Sequence, residues 1–252
     1  MNSHRENNIL GLIPARGGSR RVPRKNIKEF LGKPLLFWTI EAARESGVLK
    51  RLILNTDDPE IAQIGKDYGV KVPFMRPKEL AQDDTPIFSV IKHTVEWLKD
   101  KEGFMPEWII LLEPSSPGHR PFHIREAIEL IGKRDDIDSL VGISEIPSHY
   151  SPFKALKMNE KDMIFRYSDS EPIRNLIHRN QDLSKLYFIN SALYAFKTEN
   201  LFSARPSLWG DRALGYLMDS KYALDIDTLE DWIMAEVKMK RILEEEKSQT
   251  AQ

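Results

Sequence analysis

The chain has no cysteine among its 252 residues, which excludes disulfide staples and thiolate-bound metal. Long apolar runs are missing as well. None approaches the roughly 18 residues of a membrane span, and the polar start MNSHRENN lacks the apolar core of a signal peptide. There is no N-x-S/T glycosylation acceptor. Neither GxxxxGK(S/T) nor GxGxxG occurs, which weakens the ATPase and dinucleotide-oxidoreductase readings. Charge of one sign is not in excess, since the formal net charge is -1 and the basic residues gather in one loop; this argues against nucleic-acid binding. No internal repeat or low-complexity linker divides the chain. What is present is an ordinary globular composition, 41% hydrophobic and 30% charged, sufficient for one domain over residues 1–252 with a substantial core. Cytoplasmic placement is the default expectation.

The densest signal is Ile13 to Asn26, IPARGGSRRVPRKN. Between Arg16 and Lys28 lie six basic residues, Arg16, Arg20, Arg21, Arg24, Lys25 and Lys28, with no acid among them. Gly17 and Gly18 allow the main chain to turn and bring N–H groups close to an anion, and arginine forks grip phosphate oxygens in pairs. Charge alone leaves a solvated surface loop open as the alternative. Position favours the phosphate reading, because Ile9 to Pro14 reads as a buried strand, and open α/β sheets bind ligands outside the carboxyl ends of their strands.

The rest of the chain alternates strand and helix patterns. The periodicity predicts helices over Pro34–Ser46, Ile61–Tyr68, Ile87–Lys99 and Ile124–Lys133, and strands over Arg51–Asn55, Lys71–Phe74, Trp108–Leu112 and Ser139–Ser144. That order predicts an α/β fold of three layers, Rossmann-like, with a mainly parallel sheet and helices on both faces. The rhythm breaks over Pro147 to Ile189, where prolines and scattered aromatics suggest an inserted arm, 147–189, with strands of its own. A packed excursion on the same subunit is the other reading.

Asp225 and Asp227 in ALDIDTLEDW alternate with Leu224 and Ile226. A strand-like segment would set both acids on one face about 7 Å apart. Magnesium takes one or two protein carboxylates together with substrate phosphates, the arrangement nucleotidyl transfer requires. Alternatively Asp227 or Thr228 caps the helix that follows. With the basic loop in the same chain, metal binding is the better reading. His119 and His123 have i, i+4 spacing but straddle Pro121 without an HExxH context, and are read as non-metal residues.

IPARGGSRRVPRKN followed by LGKPLLFWTIEAA resembles the N-terminal signature of the acylneuraminate cytidylyltransferases, the CMP-sialic acid and CMP-nonulosonic acid synthetases. LILNTDDPEIA, FMRPKELAQDDT, LLEPSSP, RNQDL, YFINSALYAF and LDIDTLEDW extend the match in order along nearly the whole chain. The resemblance implies a nucleotidyltransferase fold and transfer of CMP from CTP to a 3-deoxy-2-ulosonic acid, with Mg2+ as cofactor. It also implies a homodimer built by the 147–189 arm, which reaches into the partner's sugar site. Arg16, Arg20 and Lys25 would be catalytic. Ala15, Gly17, Gly18, Ser19, Asn26, Arg76, Asp84 and Thr85 would face the nucleotide. Glu113, Ser115, Ser116, Arg179, Gln181, Asn190 and Tyr194 would face the sugar, and Asp225 and Asp227 would hold the metal. Taken without the family, Arg76 reads as a surface arginine, Asp84 and Thr85 as helix caps and Tyr194 as packing.

Four departures bear on the substrate: GHR follows LLEPSSP where LRT is commoner, Phe188 stands where some members carry a cation, and two more concern Glu113 and Ser191. Glu113 stands where sialic acid synthetases usually carry glutamine; an ionised Glu only accepts hydrogen bonds and repels a carboxylate. Ser191 stands where the family often has glycine. Two alternatives stay open: a relative acting on 3-deoxy-octulosonate, and a nucleotide-binding regulatory protein without turnover.

Overall fold

The computed structural model describes residues 8–176, 179 and 183–250. Its centre is a six-stranded sheet of β1 (Ile9–Pro14), β4 (Arg51–Asn55), β5 (Trp108–Leu111), β6 (Ser139–Glu145), β9 (Tyr187–Lys197) and β10 (Ala213–Leu217), in the order β10-β6-β9-β5-β1-β4. β1 pairs in parallel with β4 and β5, and β10 with β6, while β9 runs antiparallel between β5 and β6. Five of the six strands therefore point the same way, and their carboxyl ends share one edge. Two short strand pairs lie outside this sheet among the described residues: the β2 (Glu29–Phe30) and β3 (Lys33–Pro34) hairpin, and β7 (Leu156–Met158) with β8 (Ile164–Arg166).

β1 shows why the sheet needs cover on both sides. Its side chains alternate, Ile9 and Ile13 joining one core and Leu10 and Leu12 the other. The first core is closed by α1 (Leu35–Glu45), α2 (Pro59–Asp67) and α4 (Pro121–Gly132), through Leu36, Ile40, Ile61, Ile124 and Ile128. The second is closed by α3 (Ile87–Glu102), through Ile91, Val95 and Leu98. A third cluster seats α5 (Leu229–Thr250) against the basic-loop region, with Trp232 packed edge-on to Phe30 at 5.4 Å and beside Leu224 and Ile226. The expected three-layer α/β architecture is the one observed.

Several local expectations change. Lys71–Phe74 forms no strand; only isolated parallel bridges join Lys71 to Ile53 and Met75 to Thr56, because Pro73 between them offers no N–H to a ladder. The sequence pattern had not disclosed β10. β9 begins inside the segment read as irregular. Asp225 and Asp227 sit in an extended loop, not a strand, although the alternation holds: Leu224 and Ile226 are buried while the two acids are not. Thr228 caps α5, its Oγ1 accepting from the Asp231 N–H at 3.2 Å while Asp231 accepts the Thr228 N–H at 2.8 Å. Capping therefore does not occupy Asp227.

Candidate active site

The loop after β1 enters the carboxyl edge of the sheet and is fixed by its neighbours. The Ala15 N–H extends the β1–β4 pairing to the Asn55 carbonyl at 3.0 Å, and the Gly17 N–H donates to Asp57 Oδ1 at 3.1 Å. Gly17 is required by close approach, since a Cβ there would lie 2.6 Å from the Asp58 carboxylate; Gly18 has open space around it. Asn26, buried, donates to the Arg16 carbonyl at 2.9 Å and ties the end of the loop to its start. Asp58 also caps α2, accepting from the Glu60 and Ile61 N–H groups with Pro59 in the first turn. That position explains why its carboxyl is held below the usual range by those N–H groups and by Arg24, against the opposing effect of burial.

A cavity of about 510 Å³ opens at this edge. Arg16, Ser19, Arg20, Lys25 and Asn26 line it from the basic loop, Arg76 and Thr85 from the segment before α3, and Glu113 and Ser115 from the loop after β5, with Asp227 alongside. Leu80, Ile87 and Val90 supply an apolar part of the wall. The volume suits a nucleotide-sized ligand, and the mixture of apolar wall and a few convergent charges is that of a small-molecule site.

Its basic-loop cations are engaged with acids. Arg16 meets Asp83 Oδ1 at 2.7 Å, and Arg20 pairs with the other oxygen of the same carboxylate. Arg21 reaches Asp227 at 3.0 Å; Lys25 donates to the Ile226 carbonyl at 2.5 Å and stands 3.5 Å from Asp227. Arg76 is buried, with its Nε on Asn55 Oδ1 at 2.5 Å and its Nη2 on the Asn55 carbonyl at 2.8 Å, and burial lowers it to about 10. It is a fixed part of the wall and not the surface arginine that charge alone suggests.

The carboxylates are strained electrostatically. Glu113 is raised to about 7, first by burial and then by Asp225, with Lys25 opposing and Asp227 adding. Asp225 is raised by desolvation around its carboxyl and then by Asp227, even though the residue as a whole is exposed.

Not every expected residue meets at the cavity. Asp84 is exposed and outside the lining; its neighbour Asp83 takes the arginines. Ser116 is fully buried, its Oγ donating to the Ser191 carbonyl at 3.0 Å. Asn190 is buried, donating to Ser144 Oγ at 3.0 Å and accepting from the Ala192 N–H at 3.2 Å, so its amide serves β9. Tyr194 is buried in β9. Arg179 is exposed and does not line the cavity, and Gln181 lies outside the described residues. Behind the site His119 is buried, and His123 Nδ1 accepts the Arg120 N–H at 2.9 Å at the start of α4.

The residues that sequence reasoning passed over are Asn55, Asp57, Asp83 and the Arg21 side chain. QDDT contains two adjacent acids, and nothing in their order says which one turns inward.

A family model described as cytidylyltransferase matches residues 10–247. The chain belongs to the cytidylyltransferase family. A pseudaminic acid cytidylyltransferase of Campylobacter jejuni is 30% identical over 228 residues, covering 90% of this chain and 94% of that protein. An N-acylneuraminate cytidylyltransferase of Streptococcus agalactiae is 32% identical over 224 residues, 88% of this chain but 51% of that longer protein. Among solved structures, a CMP:2-keto-3-deoxy-manno-octonic acid synthetase complexed with CTP aligns with a TM-score of 0.68 at 17% identity, covering 93% of this chain and 99% of that one. At that identity the likeness is one of fold. For a cytidylyltransferase, the basic loop and the cavity beside it lie where the sheet topology puts a ligand.

Proposed function

We propose that this cytidylyltransferase joins CTP to the anomeric 2-hydroxyl of a 3-deoxy-2-ulosonic acid of the sialic, legionaminic or pseudaminic type, releasing pyrophosphate. The observation that carries the reading is one cavity lined jointly by Arg16, Arg20 and Lys25 and by Glu113 and Asp227. The names of the relatives support the sugar class. In the in-line step the sugar oxygen bonds to the α-phosphorus, the bond from that phosphorus to the bridging oxygen of pyrophosphate breaks, and the hydroxyl proton is released. Arg16 and Arg20 neutralise the departing phosphates, and Lys25 balances charge at the α-phosphate beside Asp227. Such transfer rests on positioning and electrostatics more than on covalent participation by the protein.

Magnesium suits the acids of the site. Glu113 and Asp225 are both raised in part by neighbouring carboxylate charge, an excess that a divalent cation relieves. Among the described residues no three His, Cys, Asp or Glu converge to hold a metal alone, so the ion needs oxygens from CTP and water, as magnesium sites commonly do. Asp225 and Asp227 would hold it, and when bound there it neutralises and orients the phosphates.

The 147–189 arm is assigned here as a dimer-forming insertion in a single catalytic domain. Tyr150, Met158, Met163 and Tyr167 are each at least 60% exposed, an apolar surface that a second copy would cover. Sedimentation velocity tests this: a monomer at micromolar concentration would refute it. No described helix is long and apolar enough to cross a membrane, and a CTP-consuming enzyme is assigned to the cytoplasm.

The deciding experiment is pyrophosphate release from CTP and Mg2+ with N-acetylneuraminic, legionaminic, pseudaminic and 3-deoxy-octulosonic acids. Release with one of the first three supports the reading. Release with the octulosonate alone, or CTP binding with no release across the panel, refutes it. Asp227→Asn is expected to abolish turnover without unfolding the protein, and near-normal activity of that variant would remove the metal role.

A further inference from the structure

Arg24 belongs to the basic loop but does not line the cavity. Its guanidinium points instead to the start of α2, where Nη1 donates to Asp58 Oδ2 at 2.5 Å and Nη2 to Glu60 Oε2 at 2.5 Å. The backbone of Arg24 is left-handed, with φ +57° and ψ +29°, where a Cβ is sterically penalised. Such a conformation persists when its surroundings over-determine it. Here both arms of the guanidinium fork are held by acids at the start of one helix.

The anchor is itself fixed. Asp58 divides its two oxygens: Oδ1 accepts the Glu60 and Ile61 N–H groups at 2.9 and 3.1 Å and caps α2, which leaves Oδ2 for Arg24. The Asp58 side chain is only 13% exposed. Its neighbour Asp57 accepts the Gly17 N–H, so the basic loop is tied to the start of α2 near both of its ends. What the Arg24 tie fixes is Lys25. The Ile27 and Lys28 N–H groups both return to the Arg24 carbonyl at 3.0 Å and close a short helical turn over Lys25–Ile27, from which Lys25 reaches the cavity. Arg24 thus links a capped helix to the lysine assigned to the α-phosphate.

We propose that Arg24 is a positioning residue, whose ion pair with Asp58 clamps the turn that presents Lys25 to the triphosphate. The inference rests on the reading of Lys25 as a phosphate contact. The competing explanation is that Arg24 attracts CTP through its charge alone, and the two differ in sign at Asp58. Removing the Asp58 charge makes the region more positive, which tightens CTP binding if the field is what counts. If the clamp is what counts, the same change weakens binding. Asp58→Asn isolates this effect, because asparagine caps a helix about as well as aspartate and keeps Oδ1 for α2.

The test measures CTP affinity by isothermal titration, together with thermal melting, for Arg24→Gly, Asp58→Asn, Lys25→Ala and the double variant Arg24→Gly/Lys25→Ala. Lys25→Ala is expected to lose roughly tenfold in affinity, the worth of a hydrogen bond to a charged group. Arg24→Gly and Asp58→Asn should each lose roughly five- to tenfold, with Tm within about 4 °C of wild type, since the ion pair is partly exposed and glycine relieves the backbone penalty. In the Lys25→Ala background Arg24→Gly should add less than about twofold, because its effect passes through the missing lysine. Tighter binding by Asp58→Asn, or a full additional loss in the double variant, would show that Arg24 acts by its own charge and would overturn the clamp. A Tm drop beyond about 6 °C in both Arg24→Gly and Asp58→Asn would overturn it in favour of a packing role. If Lys25→Ala loses affinity while Arg24→Gly binds as wild type does, the clamp falls and the phosphate reading of Lys25 stands. If Lys25→Ala itself binds CTP as wild type does, that reading falls and this inference falls with it.

Discussion

Asp83 holds Arg16 at 2.7 Å, and its second oxygen holds Arg20, so a single carboxylate occupies the two arginines assigned to the phosphates of CTP. The pairing has the form of an arginine–phosphate contact with a protein acid in the ligand's place. Nucleotide must displace it, and Asp83 then stands as a negative charge beside the phosphates.

Asp83→Asn should therefore bind CTP and pyrophosphate more tightly. The side chains are about one-third exposed, so the competing ion pair is worth at most about 1 kcal/mol, which corresponds to a gain of about two- to fivefold. Isothermal titration at low and high salt measures it. Weaker binding by the variant would show that Asp83 supports the bound state and does not compete with it.

How far the sequence announced this site depends on which residue is considered. The strand Ile9 to Pro14 followed by a basic loop was legible because a continuous apolar run and charge density are local properties. Asp225 and Asp227 stood out locally too, as acids alternating with apolar residues, though of the two Asp227 alone lines the cavity. Asp83 was not, since its choice over Asp84 is made by the path of residues 81–86 against the basic loop, a tertiary fact. Arg76 was placed at the nucleotide only by resemblance, and without it reads as a surface residue, because nothing nearby in sequence reveals that Asn55, 21 positions away, would enclose its guanidinium. Asn190 and Ser116 were placed at the sugar by resemblance, whereas each is buried in a bond that shapes a bulge in β9. β10 escaped notice because its short run, with Gly215 at its centre, pairs only with β6, each residue with the one 74 positions upstream.

Glu113 supplies a pH dependence with a definite sign. Its folded value, about 7, lies above the ordinary carboxylate value of 4.5. Between those two values the native state binds more protons than the unfolded chain, so this group makes stability fall as pH rises through the window. Glu113→Gln removes the charge and keeps the shape. In metal-free buffer at about pH 8.5 the variant should be more stable by about 1–3 kcal/mol, a Tm gain of several degrees, and at about pH 5 the advantage should shrink below about 1 kcal/mol. Melting curves at the two pH values decide it. A Tm difference that is the same at both would mean that Glu113 carries no perturbed charge.

Arg120 anchors α5 to the start of α4. Its Nε and Nη2 donate to the two oxygens of Glu246 at 2.7 and 2.6 Å, and its side chain is only 10% exposed. The bidentate form makes this one of the stronger polar contacts between elements. It also secures the site at a distance, because α5 begins two residues after Asp227 and packs Trp232 against Phe30 beneath the basic loop. Removing one partner leaves the other charge poorly solvated, though Glu246 at 32% exposure can turn partly to water. Arg120→Ala should therefore cost about 2–3 kcal/mol, below the range for a fully buried pair, and Arg120→Lys should recover only part of it because an ammonium cannot match both oxygens. Urea denaturation monitored by tryptophan fluorescence gives the values. A loss under about 0.5 kcal/mol in Arg120→Ala would mean that α5 is held by its apolar face alone.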